Sequence, residues 1–199
     1  MTDNPIDLIV GLGNPGPQHE TDRHNAGVIF LHHLAKAYGG SLRGESKFFG
    51  EFGSADIDGR QVRLLFPTTF MNRSGRAVAA VCNFFKIDPA NILVAYDEID
   101  FEVGITRLKE GGGHGGHNGI RDIINALGSP DFYRLRIGVG HPGHKSMVSN
   151  YVLSPPSRTE ADAIMENIQD AIRVMPNAAQ GKWEQAMHQL HTKPTPDSK

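Results

Sequence analysis

Short apolar runs along this chain alternate between two spacings. Ile6 to Val10 is a mostly apolar run that stops at Gly11, the form of a short buried strand. The spacing then changes: Gly27, Phe30, Leu31, Leu34 and Tyr38 recur every three or four residues, which predicts a helix capped by Thr21 or Asp22 and stopped by Gly39-Gly40. Residues 48–56 and 61–66 flank Asp58-Gly59, a pair that favours the two-residue turn of a β-hairpin. Met71 to Ile87 predicts a second helix, entered through Asn72-Arg73-Ser74 with Ser74 in a capping role, and closed by Asp88-Pro89. Ile92 to Tyr96 is the most apolar strand and runs into Asp97-Glu98-Ile99-Asp100. Gly104 to Lys109 predicts a further strand, followed by a glycine-rich loop from Gly111 to Gly119, a helix over Ile120 to Leu127 capped by Asn118, and a strand over Tyr133 to Val139. Ser157 to Val174 and Ala178 to His191 predict two C-terminal helices.

Strands and helices that alternate around one hairpin predict an α/β fold: a three-layer sandwich whose mixed, mostly parallel twisted sheet is flanked by helices. With 199 residues and 39% hydrophobic content, one domain over residues 1–191 accounts for the chain, and 192–199 is expected to be a flexible tail. Ligands of such sheets bind beyond the carboxyl ends of strands, where Asn14, Asp97 and the loop before Asn118 would converge on one cleft.

Composition narrows the chemistry. Apolar runs fall far short of the roughly 20 residues of a membrane span, and the start shows no basic region followed by an apolar stretch, so a cytoplasmic protein is expected. Cys82 is the only cysteine, which excludes an internal disulfide and a multi-cysteine metal site; it shares a helical face with Val78, Val81 and Phe85 and reads as core. The formal net charge of −2 argues against a protein that coats nucleic acid through overall charge. A local basic stretch exists nonetheless: residues 104–145 hold six cations (Arg107, Lys109, Arg121, Arg134, Arg136 and Lys145) against three acids, enough for a phosphate-binding patch.

The candidate chemistry centres on Thr21-Asp22-Arg23-His24-Asn25. A helix N-terminus carries partial positive charge, so an imidazole placed there is expected to stay neutral near pH 7 and to serve as a general base. Asp97 directly follows the buried strand, where a carboxylate needs a specific donor; an imidazole N–H would serve, fixing the tautomer and favouring the cation formed during proton transfer. Asp97, Glu98, Asp100 and Glu102 together read as a solvated acidic loop, or a site for a hard divalent ion. His114 and His117 have metal-ligand spacing, yet the surrounding glycines favour a loop that offers backbone N–H groups to a phosphate, with His117 bracing it. Gly11-x-Gly13-x-x-Gly16 matches a dinucleotide fingerprint, but Pro15 stands where the helix should open and no acid follows at the ribose-binding distance. No serine or cysteine stands in a nucleophile setting, so a hydrolase of this kind would use water.

Taken in order, Val10-Gly11-Leu12-Gly13-Asn14-Pro15-Gly16 with Thr21-x-Arg23-His24-Asn25-x-Gly27, Pro67-Thr68-Thr69-Phe70-Met71-Asn72-x-Ser74-Gly75, and Asp97-Glu98-Ile99-Asp100 with Lys109-x-Gly111 through Gly119 resemble the bacterial-type peptidyl-tRNA hydrolases, from about residue 7 to 156. The resemblance implies a monomeric cytoplasmic α/β enzyme of translation that binds peptidyl-tRNA and hydrolyses the ester between the peptide and the tRNA 3′ end. It needs no metal, other cofactor, membrane or obligate protein partner. By position, His24 is implied as the base and Asp97 as its carboxylate, with Asn14, Asn72, Asn118 and Phe70 as substrate contacts, Asn14 distinguishing peptidyl-tRNA from free aminoacyl-tRNA. Arg107, Lys109 and Arg121, and after them Arg134 and Arg136, are the expected phosphate partners. Two positions depart from the family pattern: His19 stands where tyrosine is usual, still as a substrate contact, and Asp22 where a small hydroxyl residue is common, adding an anion that would raise the His24 pKa. A non-catalytic RNA-binding relative and a nucleotide-dependent oxidoreductase are the competing readings.

Overall fold

A computed structural model describes residues 3–192; positions 193–199, most of the expected C-terminal tail, lie outside the described residues. In chain order the elements are β1 (Leu8–Gly11), α1 (Ala26–Ala37), β2 (Ser41–Glu45), β3 (Gly50–Ile57), β4 (Arg60–Pro67), α2 (Ser74–Phe85), β5 (Ile92–Glu98), β6 (Thr106–Glu110), α3 (Asn118–Leu127), β7 (Tyr133–Gly138), α4 (Val148–Val152), α5 (Arg158–Ala179) and α6 (Trp183–His191). The strands form one sheet in the order β2-β3-β4-β1-β5-β7-β6. Its centre, β4-β1-β5-β7, is parallel, while β3 and β6 run against it.

Side chains on successive strand positions point to opposite faces, and each face buries its own core. Ile9, Leu93, Ala95, Leu135 and Ile137 pack with α1, α5 and α6; Leu8, Val10, Ile92, Val94 and Tyr96 pack with α2 and α3. Every residue of β5 is buried, as expected of a central parallel strand covered on both sides. The three layers and the α/β class agree with the sequence pattern.

The glycines of the fingerprint-like segment serve packing. A Cβ on Gly11 would lie 2.6 Å from the Gly27 carbonyl oxygen, and one on Gly27 only 2.1 Å from that of Ala95, so α1 rests directly on β1 and β5. The hairpin forms where Asp58-Gly59 predicts it: both residues have positive φ, 53° and 89°, which a two-residue turn between twisted strands requires.

Four expectations fail locally. Asp22 makes no capping bond, and a separate 3-10 turn, Arg23–Asn25, precedes α1. Ser74 begins α2 rather than capping it, its hydroxyl donating to the Met71 carbonyl at 2.7 Å. The cap of α3 is His117, not Asn118. The C-terminal region holds a continuous α5 that runs through Pro176. Proline cannot supply the N–H that would satisfy Ile172 four residues earlier, and the Tyr38 hydroxyl donates to that carbonyl instead, at 3.4 Å. Among the described residues no helix is long and apolar enough to cross a membrane.

Candidate active site

Because β1, β4, β5 and β7 run in one direction, the segments that follow them emerge on the same edge of the sheet. There they surround a groove of about 690 Å³ whose lining includes Asn14, His19, His24, Phe70, Asn72, Asp97, His117 and Asn118. The far wall comes from α4 and the turn before it, through Lys145, Val148, Ser149, Val152 and Leu153.

Asp97 lies at the floor, 2% exposed. His24 Nδ1 is 2.8 and 2.9 Å from its two oxygens, and His117 Nε2 is 2.8 Å from Oδ1. Hydrogen bonds fix both tautomers. His117 Nδ1 accepts the Ile120 backbone N–H at 3.3 Å, so its Nε2 carries the proton given to Asp97. An ionised carboxylate only accepts, so His24 donates from Nδ1 and leaves Nε2 as a lone pair on the groove side. The two rings lie 4.9 Å apart, tilted by 51°.

Burial alone would push the Asp97 carboxyl up; the two neighbouring imidazoles and their hydrogen bonds outweigh it and hold the group well below the usual carboxylate range. His24 is pulled both ways as well. Its own burial lowers its pKa, but the charge and hydrogen bond of Asp97, with a contribution from Asp22, raise it above the ordinary value of 6.5. The expected dominance of the helix terminus is therefore corrected: the ring sits in the turn before α1, facing a carboxylate in direct contact. The added effect of Asp22 follows the sequence reading.

His24, Asp97 and His117 also form a group whose metal-ligating atoms all lie within 4.8 Å of one another. Each nitrogen that faces Asp97 carries the proton of its hydrogen bond, so a metal would have to displace both; the donor set as built fits protons better.

Asn14 is buried and doubly fastened. Its backbone N–H donates to Asn25 Oδ1 at 2.9 Å and its carbonyl accepts from Asn25 Nδ2 at 3.0 Å. Its side-chain Oδ1 accepts the Met71 N–H at 2.9 Å, which orients the carboxamide and leaves Nδ2 to donate toward the groove. Asn72 and Phe70 stand exposed on the rim, Phe70 at 70%. Asn118 opens α3, and its Oδ1 accepts from Arg121 Nη1 at 3.3 Å.

Among the basic residues, Lys109 and Arg121 are exposed. Arg107 Nη1 donates to the His191 carbonyl of α6 at 3.2 Å. Arg134 and Arg136, the less favoured phosphate partners, are bonded to partners within the protein. Arg134 is 1% exposed and donates to the carbonyls of Gly112, Gly113 and Pro130, bracing the glycine-rich loop from beneath. Arg136 is paired with Glu98, which is buried rather than part of a solvated acidic loop. His114 braces the loop from within, accepting the Gly116 N–H at 2.9 Å, while His117 fastens its end to Asp97.

Sequence reasoning missed the role of His117 and did not see Arg23 as a structural tie. Arg23 Nη1 donates to the Tyr151 and Ser154 carbonyls and the Ser154 hydroxyl at 3.1, 3.2 and 2.7 Å, and its guanidinium stacks 3.9 Å above the Tyr151 ring. Its place in the motif, directly before His24, was the available signal.

The peptidyl-tRNA hydrolase family model matches residues 8–198. A peptidyl-tRNA hydrolase of Azotobacter vinelandii is 53% identical over 94% of this chain and 97% of its own length, and that of Saccharophagus degradans is 55% identical over 96% and 98%. A crystal structure of a peptidyl-tRNA hydrolase in complex with n-propanol superposes with a TM-score of 0.93 at 46% identity, covering 98% of this chain and 99% of the other. The Acinetobacter baumannii enzyme gives 0.91 at 47%, over 96% and 95%. Likeness of sequence and of fold over nearly the full length gives one result: this chain belongs to the peptidyl-tRNA hydrolase family.

Proposed function

We propose that this protein hydrolyses the ester between the peptide and the 3′ end of tRNA, with a water molecule activated by His24. The observation that carries the reading is the His24 imidazole, its Nδ1 bound to both oxygens of a buried carboxylate and its Nε2 open to the groove. In this mechanism Nε2 takes a proton as the water oxygen attacks the acyl carbon. The tetrahedral intermediate then expels the ribose oxygen, which recovers that proton from the imidazolium. Asp97 favours the imidazolium while it exists, and His117 holds the carboxylate in place through its second hydrogen bond. The amides of Asn72 and Asn118 line the same groove and suit a developing oxyanion and a positioned water, each such donor contributing roughly 10²-fold in rate.

The orientation of Asn14 supports discrimination between blocked and free amino groups. What it offers the groove is a donor, which pairs with the carbonyl of a peptide bond. A free aminoacyl ester presents an ammonium instead, a second donor with nothing to accept. Phe70 supplies an exposed apolar face beside the peptide. Lys109 and Arg121, flanking the glycine-rich loop, contact tRNA phosphates, with Arg107 the weaker third because of its bond to α6. One domain carries the reaction, as a cytoplasmic monomer and without a metal, in line with the family resemblance.

The test is release of N-acetyl-aminoacyl groups from tRNA, with unblocked aminoacyl-tRNA as control. The parent should release only the blocked group, His24→Ala should lose about 10²- to 10⁴-fold in kcat, and a chelator should leave the parent rate unchanged. Equal release by parent and variant would remove His24 as base.

A further inference from the structure

His24 and His117 share the buried acid Asp97, and a third imidazole of the groove is held by a buried acid of its own. His19, in the 3-10 turn Pro17–His19, lines the same groove, and its Nδ1 lies 2.8 Å from Oδ2 of Asp22, a residue 4% exposed. Asp22 occupies the N-cap position of the turn that carries His24, where an acid ordinarily accepts a backbone N–H. Its side chain makes no such bond and turns to His19 instead. The two departures from the family pattern, at positions 19 and 22, are therefore hydrogen-bonded to each other. A carboxylate only accepts, so in the neutral ring Nδ1 carries the proton and Nε2 is a lone-pair acceptor. Nε2 has no hydrogen bond among the described residues, and 23% of the side chain is exposed. Asn14, in the same lining, presents the opposite polarity. A fixed donor and a fixed acceptor in one groove match the C=O and N–H of a peptide chain.

We propose that Asp22 is a positioning residue for the substrate contact at position 19, fixing His19 so that its Nε2 accepts an N–H of the peptide portion of peptidyl-tRNA. This rests on the function proposed above. Asp22 is the positioning residue: without it the ring has no fixed tautomer or direction.

A double-mutant cycle tests the pair: His19→Phe, Asp22→Thr and the double variant, assayed on N-acetyl-aminoacyl-tRNA at alkaline pH, where His24 is neutral in every protein. His19→Phe should raise KM about 3- to 10-fold with little change in kcat, Asp22→Thr should reproduce most of that increase, and the double variant should be no worse than His19→Phe. His19→Gln, whose amide can donate to Asp22 and accept from substrate, should restore KM to within about twofold of the parent. An unchanged KM in His19→Phe, or increases that multiply in the double variant, would overturn the proposal while leaving the hydrolase reading intact. A parent enzyme that releases nothing would overturn the hydrolase reading itself, and this contact with it.

Discussion

At the floor of the groove Asp97 is 2% exposed and receives hydrogen bonds from two imidazoles, one of which, His117, is fixed in turn by the Ile120 N–H. At the rim Phe70 is 70% exposed, and Asn72 and Asn118 stand in solvent at the starts of helical turns. The floor is over-determined: Gly27 lets α1 touch the Ala95 carbonyl, β5 is buried along its whole length, and His24 and Asp97 flank that packed junction. The rim is held by surface contacts instead, Asn118 Oδ1 accepting from the exposed Arg121 at 3.3 Å. Proton transfer demands geometry fixed before substrate binds, whereas recognition of a varied peptide and a flexible RNA end tolerates side chains that settle on contact.

The comparison is broken most severely at the floor. Asp97→Asn should lower kcat by about 10²- to 10⁴-fold, because the amide no longer favours imidazolium and can present the wrong face to Nδ1. The same variant sharpens the electrostatics. In the parent, the rate should rise with pH as His24 loses its proton, about tenfold per unit below a midpoint above 6.5, since burial lowers this pKa but Asp97 and Asp22 raise it further. With Asp97 neutral, the main raising influence is gone while burial remains, so the midpoint should move to lower pH; pH profiles of kcat/KM for the two proteins check the sign. Next, Gly27→Ala should destabilise the fold by about 1–3 kcal/mol, read from denaturant midpoints, because the new methyl meets backbone that cannot move aside. The mildest change is at the rim. Replacing Lys109 and Arg121 by glutamine should raise KM and reduce the salt slope of log KM by roughly 1 to 2 while leaving kcat and stability near parental values. A loss of stability there, or an unchanged slope, would erase the contrast between the two regions.

Much of this arrangement was legible in the chain. The strands β1, β5 and β7 are readable from their apolar positions, the Asp58-Gly59 turn sets the hairpin, and the need of Asp97 for an imidazole donor was legible, with His24 named for it by the family resemblance. What stayed hidden depended on distant partners. β2 is mostly exposed and polar, and only its pairing with β3 makes Ser41–Glu45 a strand. Pro176 looks like a helix end until Tyr38, remote in sequence, supplies the missing donor. Arg134 and Arg136 read as surface cations, and only the sheet register, which sets them beside Tyr96 and the glycine-rich loop, turns one into a brace and the other into the partner of Glu98. His117 was expected to steady its own loop; the loop folds back so that this ring reaches Asp97, a placement no local pattern encodes.

Arg23, the residue before His24, ties its turn to α4 and the segment just after it through three hydrogen bonds and a stacked ring. Swinging α4 outward means tearing that rivet, and the strain falls on the very turn that aims His24. One wall of the groove is thus fastened directly to the turn that carries His24.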